Sequence, residues 1–188
     1  MAEVVNTNQF KTGMAIEIDG QPFTIVEFQH VKPGKGGAFV RTKVRNIATG
    51  AVLDKTFRAG EKFDRIHTQS RKMAYLYSTD DEVVLMDNET FEQVSVTPAM
   101  AEDALRWVVE NMEIELMYLN GEPFDVAAPN FVELVITRSD PGVRGDTAQG
   151  ATKPATLESG ITIQVPLFIE EGEKVKVDTR SGEYLGRA

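Results

Sequence analysis

The 188-residue chain contains no cysteine, which removes disulfides, thiolate zinc sites and cysteine nucleophiles at once. Histidine is nearly absent: a histidine-based metal site or triad would have to use His30 or His67, and two isolated imidazoles read as surface or partly packed side chains. No apolar run approaches the roughly 20 residues that span a bilayer. The segment Met1-Ala2-Glu3-Val4-Val5-Asn6 has neither the basic start nor the apolar core of a secretory signal. The expected compartment is the cytoplasm, with no membrane partner. Positive charge is scarce as well, with 20 Lys and Arg against 29 Asp and Glu, a net charge of -9. A protein that held nucleic acid by non-specific charge attraction would be basic overall. What is present, 41% hydrophobic and 26% charged residues, is the composition of a globular protein of one ordinary domain or two or three small ones.

The acidic balance is uneven. Residues 1–64 carry +2, residues 65–128 carry -9 and residues 129–188 carry -2. Between residues 28 and 53 there is no Asp or Glu, while Lys32, Lys35, Arg41, Lys43 and Arg45 fall there. At the centre of this basic stretch lies His30-Val31-Lys32-Pro33-Gly34-Lys35-Gly36-Gly37. It reads as a hairpin tip, because residues 23–28 and 38–44 on either side are rich in β-branched and aromatic side chains. Proline fixes one φ angle, and three glycines admit left-handed conformations and a close approach by another surface. Lys35 then ends a protruding loop with no bulk on either neighbour. The plain alternative is a hairpin turn kept soluble by lysines. A nucleotide-cradling P-loop does not fit, since Lys35 is followed by Gly36 and a strand pattern instead of Ser or Thr and a helix.

Residues 3–64 read as about five short strands separated by Asp19-Gly20, the Lys35 tip and Ala48-Thr49-Gly50, which suggests a small, partly closed barrel of the SH3-like kind. Its expected core is Phe10, Ile16, Ile18, Phe23, Ile25, Val26, Phe39, Val44 and Phe57, and residues 58–64 are polar enough to form a junction. Residues 65–128 start a second strand series interrupted by one amphipathic helix. Thr97 can cap that helix, Pro98 starts it, and Ala104, Leu105, Val108, Val109 and Met112 recur at helical spacing. Trp107 lies within this apolar stretch and reads as a helix residue packed on the barrel. Asn120-Gly121 is a hairpin signal. Strands, one helix and strands again fit an OB-type barrel. After a linker-like Ala127-Ala128-Pro129-Asn130, residues 129–188 give a third strand series and a last hairpin at Ser181-Gly182. Between its first two strands, residues 139–154 form a long loop rich in Gly, Pro and small polar residues, a pattern that is usually functional or disordered. Arg144, Asp146, Thr147 and Lys153 supply hydrogen-bonding groups there, and Gly145 would let a nucleic-acid backbone approach.

Over essentially its whole length the chain resembles the bacterial elongation factor P family. Lys32-Pro33-Gly34-Lys35-Gly36 resembles the family's modification loop. Tyr75-Leu76-Tyr77 followed by Met86-Asp87-Asn88-Glu89-Thr90-Phe91 resembles its middle domain. Gly145-Asp146-Thr147 resembles its third-domain loop motif, and Lys153-Pro154-Ala155-Thr156-Leu157-Glu158-Ser159-Gly160, leading to Val165-Pro166 and Gly172, resembles its C-terminal signature. The resemblance implies an all-β chain of three small β-barrel domains in an L shape that imitates transfer RNA, an SH3-like (KOW-type) barrel over 1–64 followed by OB-fold barrels over 65–128 and 129–188. It implies a monomeric, non-enzymatic factor that binds the 70S ribosome between the peptidyl and exit sites and relieves stalling at consecutive prolines. By the same resemblance Lys35 points at the CCA end of peptidyl-tRNA, and in many members of the family the matching lysine carries an extension added by a modifying enzyme. Lys32, Pro33, Gly34, Gly36 and Gly37 support the loop. Arg41 and Lys43 contact RNA behind it, and Arg144, Gly145, Asp146 and Thr147 lie near the messenger at the exit-site codon. No metal, catalytic residue or separate cofactor is implied. The family's eukaryotic relative carries hypusine at the matching loop and lacks the third domain.

Two other readings compete. In a swinging-arm carrier domain a hairpin-tip lysine bears lipoyl or biotinyl, but such lysines follow a bulky or acidic residue, whereas Gly34 and Gly36 flank this one. A general OB-fold RNA-binding protein would want a basic groove interleaved with exposed aromatics, and here the OB-type segments are acidic or near neutral. Nothing in the sequence assembles an enzyme site from Ser, Thr, Asp or Glu.

Overall fold

The computed structural model describes residues 3–141 and 150–188. The chain forms two compact units, Met1–Gln69 with Leu119–Phe124, and Ser70–Tyr118 with Asp125–Ala188.

Six strands make a curled, barrel-like sheet in the first unit: β1 (Glu3–Asn6), β2 (Ala15–Ile18), β3 (Gln21–Val31), β4 (Phe39–Asn46), β5 (Val52–Arg58) and β6 (Lys62–Ile66), ordered β1-β6-β2-β3-β4-β5. Asp19 (φ 52°) and Gly20 (φ 76°) join β2 to β3 as a two-residue turn with both residues left-handed, whose twist suits antiparallel strands. Residues 58–64 are part of this sheet: Lys62 opens β6, and the Gly60 N–H donates to Thr7 Oγ1 at 2.8 Å.

Phe10 sits in the middle of the core, with ring centroids 5.7 Å from Phe63, 6.2 Å from Phe57 and 6.3 Å from Phe28. The core differs from expectation at named positions. In β3 the register steps from Ile25 opposite Val44 to Glu27 opposite Lys43, so Val26 is the extra residue of a β-bulge and is only half-buried. In β4, strict alternation from Val44 turns Thr42 and Val40 inward and Phe39 outward. Val5, Val40 and Phe63 belong to the core, whereas Val26 and Phe39 are only half-buried.

The second sheet runs β11-β10-β7-β8-β9, built from β7 (Gln69–Ser78), β8 (Val83–Asp87), β9 (Gln93–Val96), β10 (Glu113–Leu119) and β11 (Glu122–Ala127). Asn120 (φ 50°) and Gly121 (φ 83°) form the expected hairpin turn. Helix α1 covers Pro98–Leu105, and Thr97 caps it by accepting from the Met100 N–H. The helix is shorter than the apolar spacing predicts. Val108 is buried, and Val109 and Met112 are half-buried, outside the helix. Trp107, beyond the helix end, packs against the apolar cluster of the third sheet, as Met112 does from its own side. Burial of these side chains outweighs helical propensity.

The third sheet, ordered β14-β13-β12-β15-β16, comprises β12 (Phe131–Ser139), β13 (Thr152–Leu157), β14 (Thr162–Pro166), β15 (Lys174–Asp178) and β16 (Glu183–Arg187). Leu134, Val165, Ile169, Val175 and Val177 are fully enclosed in its core. The loop expected over residues 139–154 ends sooner: β13 opens at Thr152, so Lys153 and Pro154 are strand residues. Lys153 is buried and donates from Nζ to the Asp140 carbonyl at 2.8 Å, so it joins the two ends of the connection and does not face outward.

Arg180 clamps Asp178 with Nη2 2.7 Å and Nε 3.0 Å from the carboxylate. These side-chain bonds, then the Arg180 backbone N–H, lower the carboxyl to about 2. Against about 3.9 in an unfolded chain, the depressed value contributes stability that is complete above pH ~4 and is lost as pH falls toward ~2. The expected result is that Arg180→Leu lowers the urea midpoint near pH ~6 and that the difference from the parent shrinks as pH falls from ~4 through ~2. Among the described residues no helix is long and apolar enough to cross a membrane, and no three His, Asp or Glu side chains are grouped to hold a metal ion.

Candidate functional site at the Lys35 hairpin

Strands β3 and β4 pair from Phe23 opposite Asn46 to Val31 opposite Phe39, and residues 32–38 form the loop between them. The roots of the hairpin are in the core: Ile25, Val40 and Val44 are fully buried. Phe28 packs partly on that core and meets His30 edge-on at 5.7 Å, which carries ordered packing outward toward the loop. His30 is thus an exposed ring that meets Phe28 at its edge.

At the tip, Lys32, Pro33, Gly34, Lys35, Gly36 and Gly37 are all exposed. Among the described residues neither Lys35 nor Lys32 has an ion pair, side-chain hydrogen bond or ring contact. The three glycines differ in role. Gly36 alone of them is left-handed, at φ 108°, and a Cβ built on it would sit 4.0 Å from Pro33 Cγ. Gly34 and Gly37 are not left-handed and have open space where a Cβ would go. Their lack of a side chain therefore bears on what approaches from outside. Gly36→Val is expected to strain the loop by about 1–2 kcal/mol, seen as broadened or shifted amide resonances of residues 33–37. Gly34→Val should leave the same resonances near their parent positions.

The basic stretch is less uniformly basic in space than in sequence. Arg41 lies over the Phe39 ring at 5.8 Å. Lys43 is 3.8 Å from the Glu27 carboxylate and stands in register with Asp54 on β5. A shallow depression of about 370 Å³ behind the tip includes all of these groups, Arg41, Lys43 and Lys55 with Glu27 and Asp54. Sequence reasoning missed Glu27 as the partner of Lys43 and Asp54 as its cross-strand neighbour, because only the register brings them beside it. Lys32 and Lys35 carry their charge at the tip with no partner among the described residues, while Arg41 keeps its charge on the strand behind, over the Phe39 ring. Thr42, turned inward between Arg41 and Lys43, has its Oγ1 buried with no hydrogen-bond partner among the described residues.

Arg144, Gly145, Asp146 and Thr147 lie outside the described residues.

Comparison with known proteins covers nearly the whole chain. Residues 6–63 match the elongation factor P KOW-like domain, residues 68–126 the elongation factor P OB domain and residues 132–187 the elongation factor P C-terminal domain. An elongation factor P of Moorella thermoacetica is 54% identical over 185 residues, covering 98% of this chain and all of the relative. One from Natranaerobius thermophilus is 52% identical over 184 residues, 98% of each chain. Among solved structures, the eukaryotic translation initiation factor 5A from Methanococcus jannaschii is similar at 25% identity and a TM-score of 0.44, covering 68% of this chain and 95% of that one.

Proposed function

Because the chain belongs to the elongation factor P family of translation factors, we propose that it binds the ribosome between the peptidyl and exit sites and speeds peptide-bond formation at consecutive prolines by positioning peptidyl-tRNA. The observation that carries this reading is Lys35: exposed, without a partner among the described residues, flanked by glycines, and mounted on strands rooted in a packed core. Proline is a constrained nucleophile and a constrained donor, so its transfer suffers mainly from poor placement of the reacting groups. Holding two reactants in a productive geometry removes several kcal/mol of barrier. Each factor of ten in rate needs only about 1.4 kcal/mol.

A cation laid along the CCA backbone supplies such ordering with no acid, base or nucleophile of its own. In this reading a modifying enzyme extends Lys35, Arg41 adds an RNA contact behind the tip, and Gly145-Asp146-Thr147 faces the messenger. The test is cell-free translation of two reporters, one with a run of prolines and one without, with and without the protein. The protein should raise synthesis of the first alone; equal stimulation of both would contradict the proposal.

A further inference from the structure

The most exposed large apolar side chain among the described residues is Phe91, at 70%. It ends the turn of the β8–β9 hairpin, a turn built around buried Asp87. Asp87 Oδ1 accepts from the N–H groups of Glu89 at 2.8 Å and Thr90 at 3.1 Å. The Asp87 N–H donates to the Glu92 carbonyl and the Phe91 N–H to the Asp87 carbonyl, each at 2.9 Å. Arg71 braces the second carboxylate oxygen at 3.5 Å. The turn is therefore fixed without help from the Phe91 ring.

That ring stands in a costly place. Phe91 has φ 62°, and the other non-glycine residues with positive φ among those described are Asp19, Asn111 and Asn120. Asp and Asn tolerate this region through local hydrogen bonds; a bulky aromatic does not. Glycine would give the same backbone without strain. Nor does the ring repay the strain internally: among the described residues it joins neither the apolar core of the second sheet nor any ring–ring or cation–ring pair. Glu89 and Glu92 flank it with no ion pair among the described residues, on a segment, residues 65–128, of net charge -9. Such a rim repels phosphate and attracts cations.

We propose that Phe91, rimmed by Glu89 and Glu92, is the anchor of a docking site for a basic protein surface that carries an apolar recess. A single aromatic held out on a rigid turn loses little freedom when it is buried, which is the character of an interface hot spot. The inference rests on the ribosome-binding reading above, since ribosomes supply basic proteins.

The test uses purified ribosomes, with co-sedimentation of the full chain as the first readout. Phe91→Gly should weaken co-sedimentation at least about tenfold while leaving the midpoint of thermal unfolding unchanged or higher. Paired Glu89→Lys and Glu92→Lys should weaken it too. p-Benzoylphenylalanine at position 91 should crosslink on irradiation to one basic protein. A lowered unfolding midpoint for Phe91→Gly would make the ring a packing residue and overturn the proposal. Crosslinks to RNA, together with tighter binding after the Glu→Lys changes, would overturn it in favour of a nucleic-acid partner. Co-sedimentation that ignores Phe91→Gly would overturn it alone, whereas absence of co-sedimentation by the parent chain would refute the ribosome-binding reading itself.

Discussion

Lys35→Ala is expected to cut the stimulation of proline-run synthesis by about tenfold or more while leaving a proline-free reporter within error of the parent. The expectation follows from three features of the tip. Lys35 has no partner within the described structure, so its removal costs the fold nothing that a thermal midpoint would register. Arg41 and Lys43 do not substitute for it, because both stand on β4 behind the loop, Arg41 over Phe39 and Lys43 beside Glu27. And a positioning effect worth only about 1.4 kcal/mol already amounts to a factor of ten in rate. Lys35→Arg keeps the charge and part of the reach and should retain measurable stimulation. Equal activity of the Ala and Arg variants would show that the loop backbone, and not the cation, does the positioning.

The second large effect concerns the support of that tip. Ile25 is fully buried in β3 immediately before the bulge and faces Val44 across the sheet. Ile25→Ala should destabilise the protein by about 2–5 kcal/mol through lost transfer energy and a residual cavity, a large share of a typical total of roughly 5–15 kcal/mol. Val26→Ala, one residue on at the bulge and half-buried, should cost under about 1 kcal/mol. Urea unfolding followed by circular dichroism separates the two, with the Ile25 variant shifted to a clearly lower midpoint. Loss of proline-run stimulation by Ile25→Ala at a temperature where the parent is folded, restored on cooling, would tie tip placement to this core.

The parts of the fold that the sequence announces are those where a residue type has no alternative. Asp19-Gly20 and Asn120-Gly121 demand left-handed backbone and are turns. Thr97-Pro98 starts a helix, and Lys32-Pro33-Gly34-Lys35-Gly36 between two β-branched runs is a hairpin tip. The parts it conceals depend on pairing. The bulge at Val26 leaves no trace in composition, yet it displaces Val26 from the core. β13 hides in a Gly- and Pro-rich stretch because its ladder partners, residues 162–166, lie across a turn, and Lys153 becomes a buried strand residue there. The α1 pattern overruns the real helix because Val108 is buried, and Met112 half-buried, by tertiary contact and not by helical phase. At the site itself, Lys35 is visible in sequence as charge on an exposed glycine-flanked tip. The pairing of Lys43 with Glu27, and the placing of Asp54 opposite it, are consequences of register alone.

The absence of cysteine gives direct access to the central claim, since Lys35→Cys provides a single attachment point for an iron chelate that generates hydroxyl radicals. With the labelled protein bound to ribosomes stalled at a proline run, cleavage of the peptidyl-tRNA at its 3′-terminal CCA nucleotides is the result this account predicts. Cleavage confined to ribosomal RNA or to other parts of the transfer RNA, with the terminal nucleotides intact, would contradict it.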